Sequence, residues 1–138
     1  INKLNIDQLL LTFQLNLFSS IIISSNLMQF TKQKDILKIF HIGSSSAYDG
    51  FKNTVYYSSS KHALLGAVKS MNKETVKKNT INYLVSMGSM KTKMGKKLIN
   101  QSFKNFIDPK KVADFVINLA FFRINGYTEE ILIKRILK

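Results

Sequence analysis

Two tyrosines in the sequence have a lysine four positions further on: Tyr48 with Lys52, and Tyr57 with Lys61. On a helix, side chains four residues apart stand one turn apart on the same face. An ammonium group held beside a phenol favours the phenolate, and such a tyrosine can exchange a proton with a substrate oxygen. The spacing therefore indicates general acid/base chemistry, provided that a helix holds the pair.

The surrounding residues separate the two pairs. Tyr48 precedes the turn dipeptide Asp49–Gly50, so no helix fixes it relative to Lys52. Tyr57 lies near the start of a predicted helix over about 55–78, whose apolar residues recur at helical spacing. Spacing alone leaves open an exposed tyrosine beside a solvated lysine.

Helices and strands are predicted to alternate around this pair. Asp7 is a plausible N-cap of a long helix that includes the uncharged stretch 8–31, and Asp108–Pro109 favours a helix start at a later point. Long connections between apolar strands favour parallel pairing, hence an α/β sheet. The predicted strands are 36–42, 80–86 and 130–135, and the last helix runs to about 122 with Val112, Phe115, Val116 and Leu119 inward.

The uncharged stretch 8–31 is long enough to suggest a membrane span. Gln14, Asn16, Ser19 and Ser24 place polar groups through its middle, and a bilayer disfavours such groups strongly. We therefore expect a helix buried in a domain or subunit interface, and no membrane partner.

The amino-acid composition excludes several classes of function. The chain of 138 residues is 45% hydrophobic, as globular domains are, and it has no cysteine, which excludes disulfides, cysteine zinc sites and cysteine nucleophiles. The net charge of +13 suggests a nucleic-acid partner, but only Arg123 and Arg135 among 21 basic residues are arginines. We expect mostly ordinary solvated surface, no nucleic-acid partner and no metal site. A basic nucleic-acid binder stays the third alternative.

Several segments together resemble the short-chain dehydrogenase/reductase family. The strand and serine run 39–47 followed by Tyr57-Ser58-Ser59-Ser60-Lys61 is similar to the family's strand, serines and Tyr-x-x-x-Lys helix. The stretch 15–17 (Leu-Asn-Leu) resembles its Val-Asn-Leu segment, and 87–94 resembles its Pro-Gly-x-Val-x-Thr-x-Met loop. The start of the helix at 108–113 matches its Pro-x-x-Val-Ala pattern. The resemblance covers nearly all of residues 5 to 135.

The resemblance implies catalytic roles for four residues. Tyr57 would be the general acid/base on the substrate oxygen, and Lys61 would favour its phenolate and bind the nicotinamide ribose. Ser44, thirteen residues before Tyr57, would orient the substrate oxygen, with Ser45 as the alternative register. Asn16 would link Lys61 to solvent through water.

The resemblance also implies a cofactor, NAD or NADP, with hydride chemistry that belongs to the cofactor itself. Gly88, Met90 and Thr92 would contact its nicotinamide side, together with Tyr57 and Lys61. The substrate would be a small molecule with a carbonyl or an alcohol. The loop 88–104 would cover it as an apolar lid with lysines at its rim.

Some positions depart from the family pattern. Met87 replaces the loop proline, and His41 and Gly43 stand where asparagine and serine are common. His62 is expected to be a packing or surface histidine. The glycine-rich turn that holds the cofactor pyrophosphate is absent, as is the residue that selects NAD or NADP.

We therefore expect residues 1–138 to be a single partial domain, the C-terminal catalytic half of a Rossmann-like doubly wound parallel sheet. It would contain about three strands and three to four helices. The family pairs subunits through the helices predicted at 7–32 and 55–78, so a homodimer or homotetramer is expected, in the cytoplasm. The alternative is a truncated, catalytically inactive remnant or a subunit-interaction module.

Overall fold

The computed structural model describes residues 4–30, 35–98, 101–123 and 126–136. A long N-terminal helix (Ile6–Met28) consists of α1 (Ile6–Phe13), a π-helical segment (Gln14–Phe18) and α2 (Ser19–Met28). The remaining elements are β1 (Leu37–Ile42), α3 (Val55–Thr75), β2 (Thr80–Met87), α4 (Pro109–Phe121) and β3 (Glu130–Ile133), with short 3-10 turns between them.

The three strands form one parallel sheet in the order β1-β2-β3. Ile42 of β1 pairs with Val85 of β2, and Met87 of β2 pairs with Ile133 of β3, so the carboxyl ends of the strands share one edge. We call this the carboxyl edge. The parallel α/β arrangement predicted from the sequence is confirmed.

The long helix begins two residues earlier than predicted. Asn5, not Asp7, is the N-cap: its side-chain oxygen accepts a hydrogen bond from the Gln8 backbone N–H at 2.9 Å. Asn5 has the extended backbone that a cap requires, while Asp7 lies in the first turn, where a carboxylate favours the positive end of the helix dipole. The helix ends at Met28, with Gln29 as its C-cap, so the end predicted at residue 32 is wrong.

The π-helical segment interrupts a helix that the sequence pattern predicted to be regular. Across it the Ser19 N–H donates to the Gln14 carbonyl five residues earlier, instead of four. The wider turn carries Asn16 at its centre. Such segments are frequent at functional sites, and no periodicity of apolar residues indicates one.

Two hydrophobic clusters hold the sheet between its helices. On one face Leu84 packs with Leu64 and Val68 of α3, and Leu17 of the long helix joins them. On the other face Val85 and Met87 pack with Val112 of α4. We call these the α3 face and the α4 face of the sheet.

The start of α4 is confirmed, and its inner face is narrower than predicted. The Asp108 carboxylate accepts a hydrogen bond from the Lys110 N–H at 2.9 Å, and Pro109 occupies the first turn. Val112 is buried and Val116 packs beside it, but the Phe115 side chain is 43% exposed, so its predicted inward position is wrong.

The outer face of the long helix is apolar and exposed. Leu10, Leu11, Leu15, Phe18 and Ile22 keep between 44% and 66% of their accessible surface. By length and composition alone, this helix could cross a membrane, and it is the one such helix in the part of the chain that the structure describes. Its opposite side packs along α3, where the Asn5 N–H donates to the Tyr56 hydroxyl at 2.7 Å.

Candidate active site

Tyr57 and Lys61 lie in the first two turns of α3, as the spacing predicts. The Lys61 Nζ lies 5.8 Å from the centroid of the Tyr57 ring. The helix starts just before Tyr57 because the Thr54 carbonyl accepts from the Ser58 N–H at 2.7 Å, and the Thr54 hydroxyl bonds the Ser58 hydroxyl at 2.8 Å. The helix thus holds the phenol and the ammonium on one face.

Lys61 is buried, with 7% of its surface accessible. Its Nζ donates a hydrogen bond to the Ile42 carbonyl at 2.8 Å, at the carboxyl edge of β1. Burial in this position lowers the pKa of the Lys61 ammonium, because desolvation disfavours its charged form. Among the residues described, the one ion pair is Lys69–Glu130, so no carboxylate neutralises Lys61.

Asn16 is connected to the turn of α3 that carries Tyr57 by hydrogen bonds through the Ser60 hydroxyl. The Asn16 Nδ2 donates to the Ser60 hydroxyl at 3.0 Å, and that hydroxyl donates to the Tyr57 carbonyl at 2.8 Å. Ser60 is completely buried. The π-helical segment thereby fixes the turn of α3 that carries Tyr57.

Ser60 was missed by sequence reasoning. It is one of three consecutive serines, Ser58 to Ser60, and composition does not distinguish them. The available signal was helical phase: Ser60 lies three residues after Tyr57 and four before the buried Leu64, which places it on the inward face.

Ser44 is the second residue after β1 and is buried. Its hydroxyl oxygen accepts a hydrogen bond from the Ser46 N–H at 3.1 Å and so caps the 3-10 turn Ser45–Ala47, which packs against α3. Ser45 is partly exposed. The bond to Ser46 occupies an oxygen lone pair and leaves the Ser44 hydroxyl hydrogen available as a donor.

The loop 88–107, which contains the predicted lid 88–104, leaves the same edge of the sheet after β2. Its two ends are pinned together: the Lys91 N–H donates to the Ile107 carbonyl at 2.9 Å, and the Ile107 N–H donates to the Ser89 carbonyl at 3.0 Å. At its tip the Thr92 hydroxyl oxygen accepts from the Gly95 N–H at 3.0 Å. A Cβ at Gly95 would overlap the Met90 carbonyl, so this turn requires glycine.

The predicted apolar lid is exposed in part. Met90 is half-buried, whereas Met94 is 74% exposed and Leu98 44% exposed. Phe103 and Phe106 form a tilted pair, with ring centroids 5.3 Å apart, that stiffens the second half of the loop 88–107. Residues 99 and 100 lie outside the described part of the chain.

A family model described as "short chain dehydrogenase" matches residues 1–102. The chain belongs to the short-chain dehydrogenase family. It is 38% identical over 103 residues to the 3-oxoacyl-[acyl-carrier-protein] reductase FabG of Buchnera aphidicola subsp. Acyrthosiphon pisum, a match that covers 66% of this chain and 42% of the reductase.

Solved structures of short-chain dehydrogenases share the fold. A 4-hydroxyisoleucine dehydrogenase complexed with NADH superposes with a TM-score of 0.82 at 25% identity, covering 97% of this chain and 61% of that one. An acetoin dehydrogenase from Enterobacter cloacae gives 0.81 at 20% identity, covering 96% and 56%. The chain therefore spans about half the length of its relatives, and its three-stranded sheet is part of a Rossmann-like sheet.

The two histidines of the chain have different surroundings. The buried His41 donates from Nε2 to the Asn82 side-chain oxygen at 3.1 Å, and burial lowers the pKa of His41. His62 is exposed, and its Nδ1 lies 2.9 Å from the Ser58 carbonyl of its own helix. Within the described residues, no three His, Cys, Asp or Glu side chains are grouped to hold a metal ion.

Gly43 and Tyr48 also have a structural explanation. A Cβ at Gly43 would overlap the buried Ser86 hydroxyl, so glycine here accommodates a serine on the neighbouring strand. Tyr48 lies outside any long helix, as predicted, and burial raises the pKa of its phenol. Tyr48 is therefore a packing residue, and the acid/base candidate is Tyr57.

Proposed function

We propose that this chain is the catalytic part of an NAD(P)-dependent oxidoreductase that interconverts a carbonyl and an alcohol, with Tyr57 as general acid/base. The observation that carries the proposal is the Tyr57–Lys61 pair at the carboxyl edge, where the Ile42 carbonyl holds the buried ammonium. In open α/β sheets, ligands bind outside the carboxyl ends of the strands.

The proton chemistry follows from the charges around Tyr57. A phenol that gives its proton to a substrate oxygen becomes a phenolate, and the Lys61 ammonium stabilises that anion. Because Lys61 is desolvated, its charge is weakly screened and acts strongly on nearby groups. The Ser44 hydroxyl, with its hydrogen available, would donate to the substrate oxygen and orient it.

Asn16 and Ser60 position Tyr57. Their two hydrogen bonds connect the long helix to the backbone of Tyr57. Small displacements of a reacting group reduce rates steeply, so we assign Asn16 and Ser60 to holding the Tyr57 turn in place.

The residues at this edge fit the nicotinamide end of a dinucleotide, which supplies hydride transfer when it is bound. Gly88 lies against the end of β3, since a Cβ there would be in van der Waals contact with the Ile133 carbonyl oxygen at 3.8 Å. The Thr92 hydroxyl keeps its hydrogen for a ligand because its oxygen serves the Gly95 N–H. We propose that Tyr57, Lys61, Gly88, Met90 and Thr92 hold this end, of NAD or of NADP.

The test is Tyr57→Phe in the protein expressed from its complete coding sequence. We expect kcat to fall by about 100-fold or more, because proton transfer loses its donor, while the dissociation constant of the cofactor stays within about twofold. Cofactor binding is measured by NADH or NADPH fluorescence, and turnover by absorbance.

Tyr56→Phe is the matched control. Tyr56 is the neighbouring tyrosine, and its hydroxyl accepts from the Asn5 N–H outside the site, so kcat should stay near the wild-type value. Full activity of the Tyr57→Phe variant would refute the assignment. Absence of turnover in the wild type, with intact cofactor binding, would favour the inactive or subunit-interaction alternative.

The exposed apolar face of the long helix supports the proposed homodimer or homotetramer. Leu15 is 66% exposed at the centre of that face, where Leu11 and Phe18 flank it one turn away on either side. Leu15→Glu should dissociate the oligomer in sedimentation velocity at unchanged secondary structure, whereas an exposed Lys111→Glu on α4, outside the two proposed interface helices, should not. A cytoplasmic location belongs to the same proposal.

A further inference from the structure

A shallow cavity opens beside the loop 88–107. It has a volume of about 370 Å³ and lies between the second half of this loop and the segment that follows β3. We call it the basic cleft, because three of its eight lining residues are cationic and none is acidic. Its walls are Lys104, Asn105, Phe106, Ile107, Ile133, Lys134, Arg135 and Ile136.

The basic cleft adjoins the candidate active site. Gly88, at the carboxyl edge of β2, donates its N–H to the Ile133 carbonyl at 3.0 Å. A Cβ at Gly88 would lie 3.9 Å from the Arg135 backbone nitrogen and 3.9 Å from Ile107. The cleft therefore borders the strand end, at Gly88, where we propose that the nicotinamide side of the cofactor binds.

Arg135 is preoriented in this cleft. Its guanidinium lies 5.8 Å from the centroid of the Phe106 ring, and Phe106 is buried. An aromatic face that fixes the guanidinium plane reduces the entropy lost on binding. Arginine is the side chain whose planar fork matches phosphate and carboxylate, and the chain has only two arginines against nineteen lysines.

The charge around the cleft has no local counterpart. Between Glu74 and Asp108 the sequence has seven lysines and no acidic residue, and this stretch contains the whole lid. The described ion pair Lys69–Glu130 lies elsewhere, so no described carboxylate neutralises Lys104, Lys134 or Arg135. An anion entering the cleft would meet uncompensated positive charge.

We propose that the basic cleft binds an anionic group, a phosphate or a carboxylate, carried by the substrate at a distance from its reacting carbonyl. This inference rests on the proposed function, since it names the substrate class of the same site. Arg135 and Lys134 supply the contacts that recognise the anion, and Lys104 adds charge at the rim.

The first experiment measures binding without catalysis, on the protein from its complete coding sequence with cofactor present. Inorganic phosphate, at constant ionic strength set with chloride, should raise the melting temperature of the wild type. The double variant Arg135→Gln/Lys134→Gln should lose this response, and Lys73→Gln, an exposed lysine at the far end of α3, should keep it. Equal responses of all three proteins would overturn the proposal.

The second experiment identifies the source of the anion. Oxo acids of increasing chain length are compared with their methyl esters as substrates. We expect kcat/KM to favour the acid at one chain length by about tenfold or more, chiefly through KM, and the double variant to lose this preference. The acid-to-ester ratio is taken within one preparation, so partial misfolding of a variant does not affect it.

Two further outcomes would refute the inference. A wild type that binds phosphate but shows no preference for acids would assign the cleft to free phosphate, and a loss in the double variant confined to the KM of the cofactor would assign it to the cofactor. Neither affects the proposed function, which is tested separately by the turnover of the wild type and of Tyr57→Phe.

Discussion

Both faces of the sheet hold an apolar cluster, but the α3 face also buries a set of polar side chains. On the α4 face, Val85, Met87 and Val112 form an apolar cluster, with Phe40 stacked on Tyr83 at 4.8 Å between ring centroids. On the α3 face, the buried side chains include His41, Ser44, Lys61, Asn72, Thr75, Asn82 and Ser86.

The apolar contacts mainly stabilise the fold, and the buried polar contacts orient side chains. Apolar contacts stabilise without fixing direction, whereas hydrogen bonds fix both distance and angle. Three of the four candidate catalytic side chains, those of Asn16, Ser44 and Lys61, make a hydrogen bond, and Tyr57 is held through its backbone carbonyl by Ser60. The α4 face then supplies burial that does not depend on the chemistry of the site.

The largest loss of stability in this comparison is expected when Asn72 is replaced. β3 begins opposite Leu84, so the backbone of Asn82 has no strand on that side. The Asn72 side chain takes the place of a strand: its oxygen accepts from the Asn82 N–H and its nitrogen donates to the Asn82 carbonyl, both at 2.8 Å.

Asn72→Leu leaves both backbone groups buried without a partner. We expect the free energy of unfolding to fall by about 3 kcal/mol or more, measured by urea denaturation. The control on the apolar face is Phe40→Leu, which loses one stacked ring and should cost about 1 kcal/mol. A smaller loss for Asn72→Leu than for Phe40→Leu would contradict the proposed contrast between the faces.

Gly43 and Ser86 test whether the polar face is tightly fitted. Gly43→Ala places a methyl group on the Ser86 hydroxyl and should cost about 2 kcal/mol. Ser86→Ala should cost little by itself, because that hydroxyl makes no hydrogen bond of normal geometry in the described part of the chain. The double variant should recover the part of the loss that the Ser86 hydroxyl causes, while Leu84, 3.0 Å from the added Cβ, keeps the rest. Strictly additive losses in a double-mutant cycle would disprove the steric explanation.

His41 makes the polar face sensitive to pH. Burial lowers its pKa in the folded state, so below the ordinary histidine pKa of about 6.5 the unfolded chain binds the proton more readily. This contribution to stability is present above pH 6.5 and is lost as the pH falls towards the folded pKa, by up to about 1.4 kcal/mol per pH unit.

The measurement compares urea midpoints at pH 7.5 and 5.5 for the wild type, His41→Asn and the control His62→Asn. We expect His41→Asn to flatten the dependence and the exposed His62→Asn to leave it unchanged. A wild-type slope retained by His41→Asn would show that another group carries the effect.

The smallest effect is expected for the ion pair between Lys69 and Glu130. Its atoms are 2.8 Å apart, but the side chains are 49% and 30% exposed, so solvent screens the attraction. Lys69→Met should cost at most about 0.5 kcal/mol, and a coupling energy above about 1 kcal/mol in a double-mutant cycle would argue against screening.

The sequence predicts the elements better than the details that orient the site. Strand β2, helix α3 and the Asp108–Pro109 start follow from local patterns of apolar residues and caps, and the structure confirms them. The Tyr57–Lys61 spacing predicted their placement on one face of α3, because both residues belong to one helix.

The remaining features depend on contacts between distant parts of the chain. Ser60 matters because the long helix, 44 residues away in sequence, brings Asn16 to it. Asn72 replaces a strand only because β3 starts late, and the Gly43–Ser86 fit involves two strands. No local pattern encodes these contacts, since each residue type alone is ordinary.

The π-helical segment makes the number of residues in the long helix matter as well as their identity. One extra residue is accommodated between Phe13 and Ser19, so an otherwise silent deletion there would restore regular winding. The turns on either side would keep nearly their present phase, because the wide turn already absorbs the extra residue, and the side chains inside the segment would be redirected. Asn16 would then point away from Ser60, although the neighbouring residues in the sequence would be almost unchanged. A one-residue gap at this place in a related sequence therefore indicates a rebuilt site, even where the Tyr-x-x-x-Lys residues are intact.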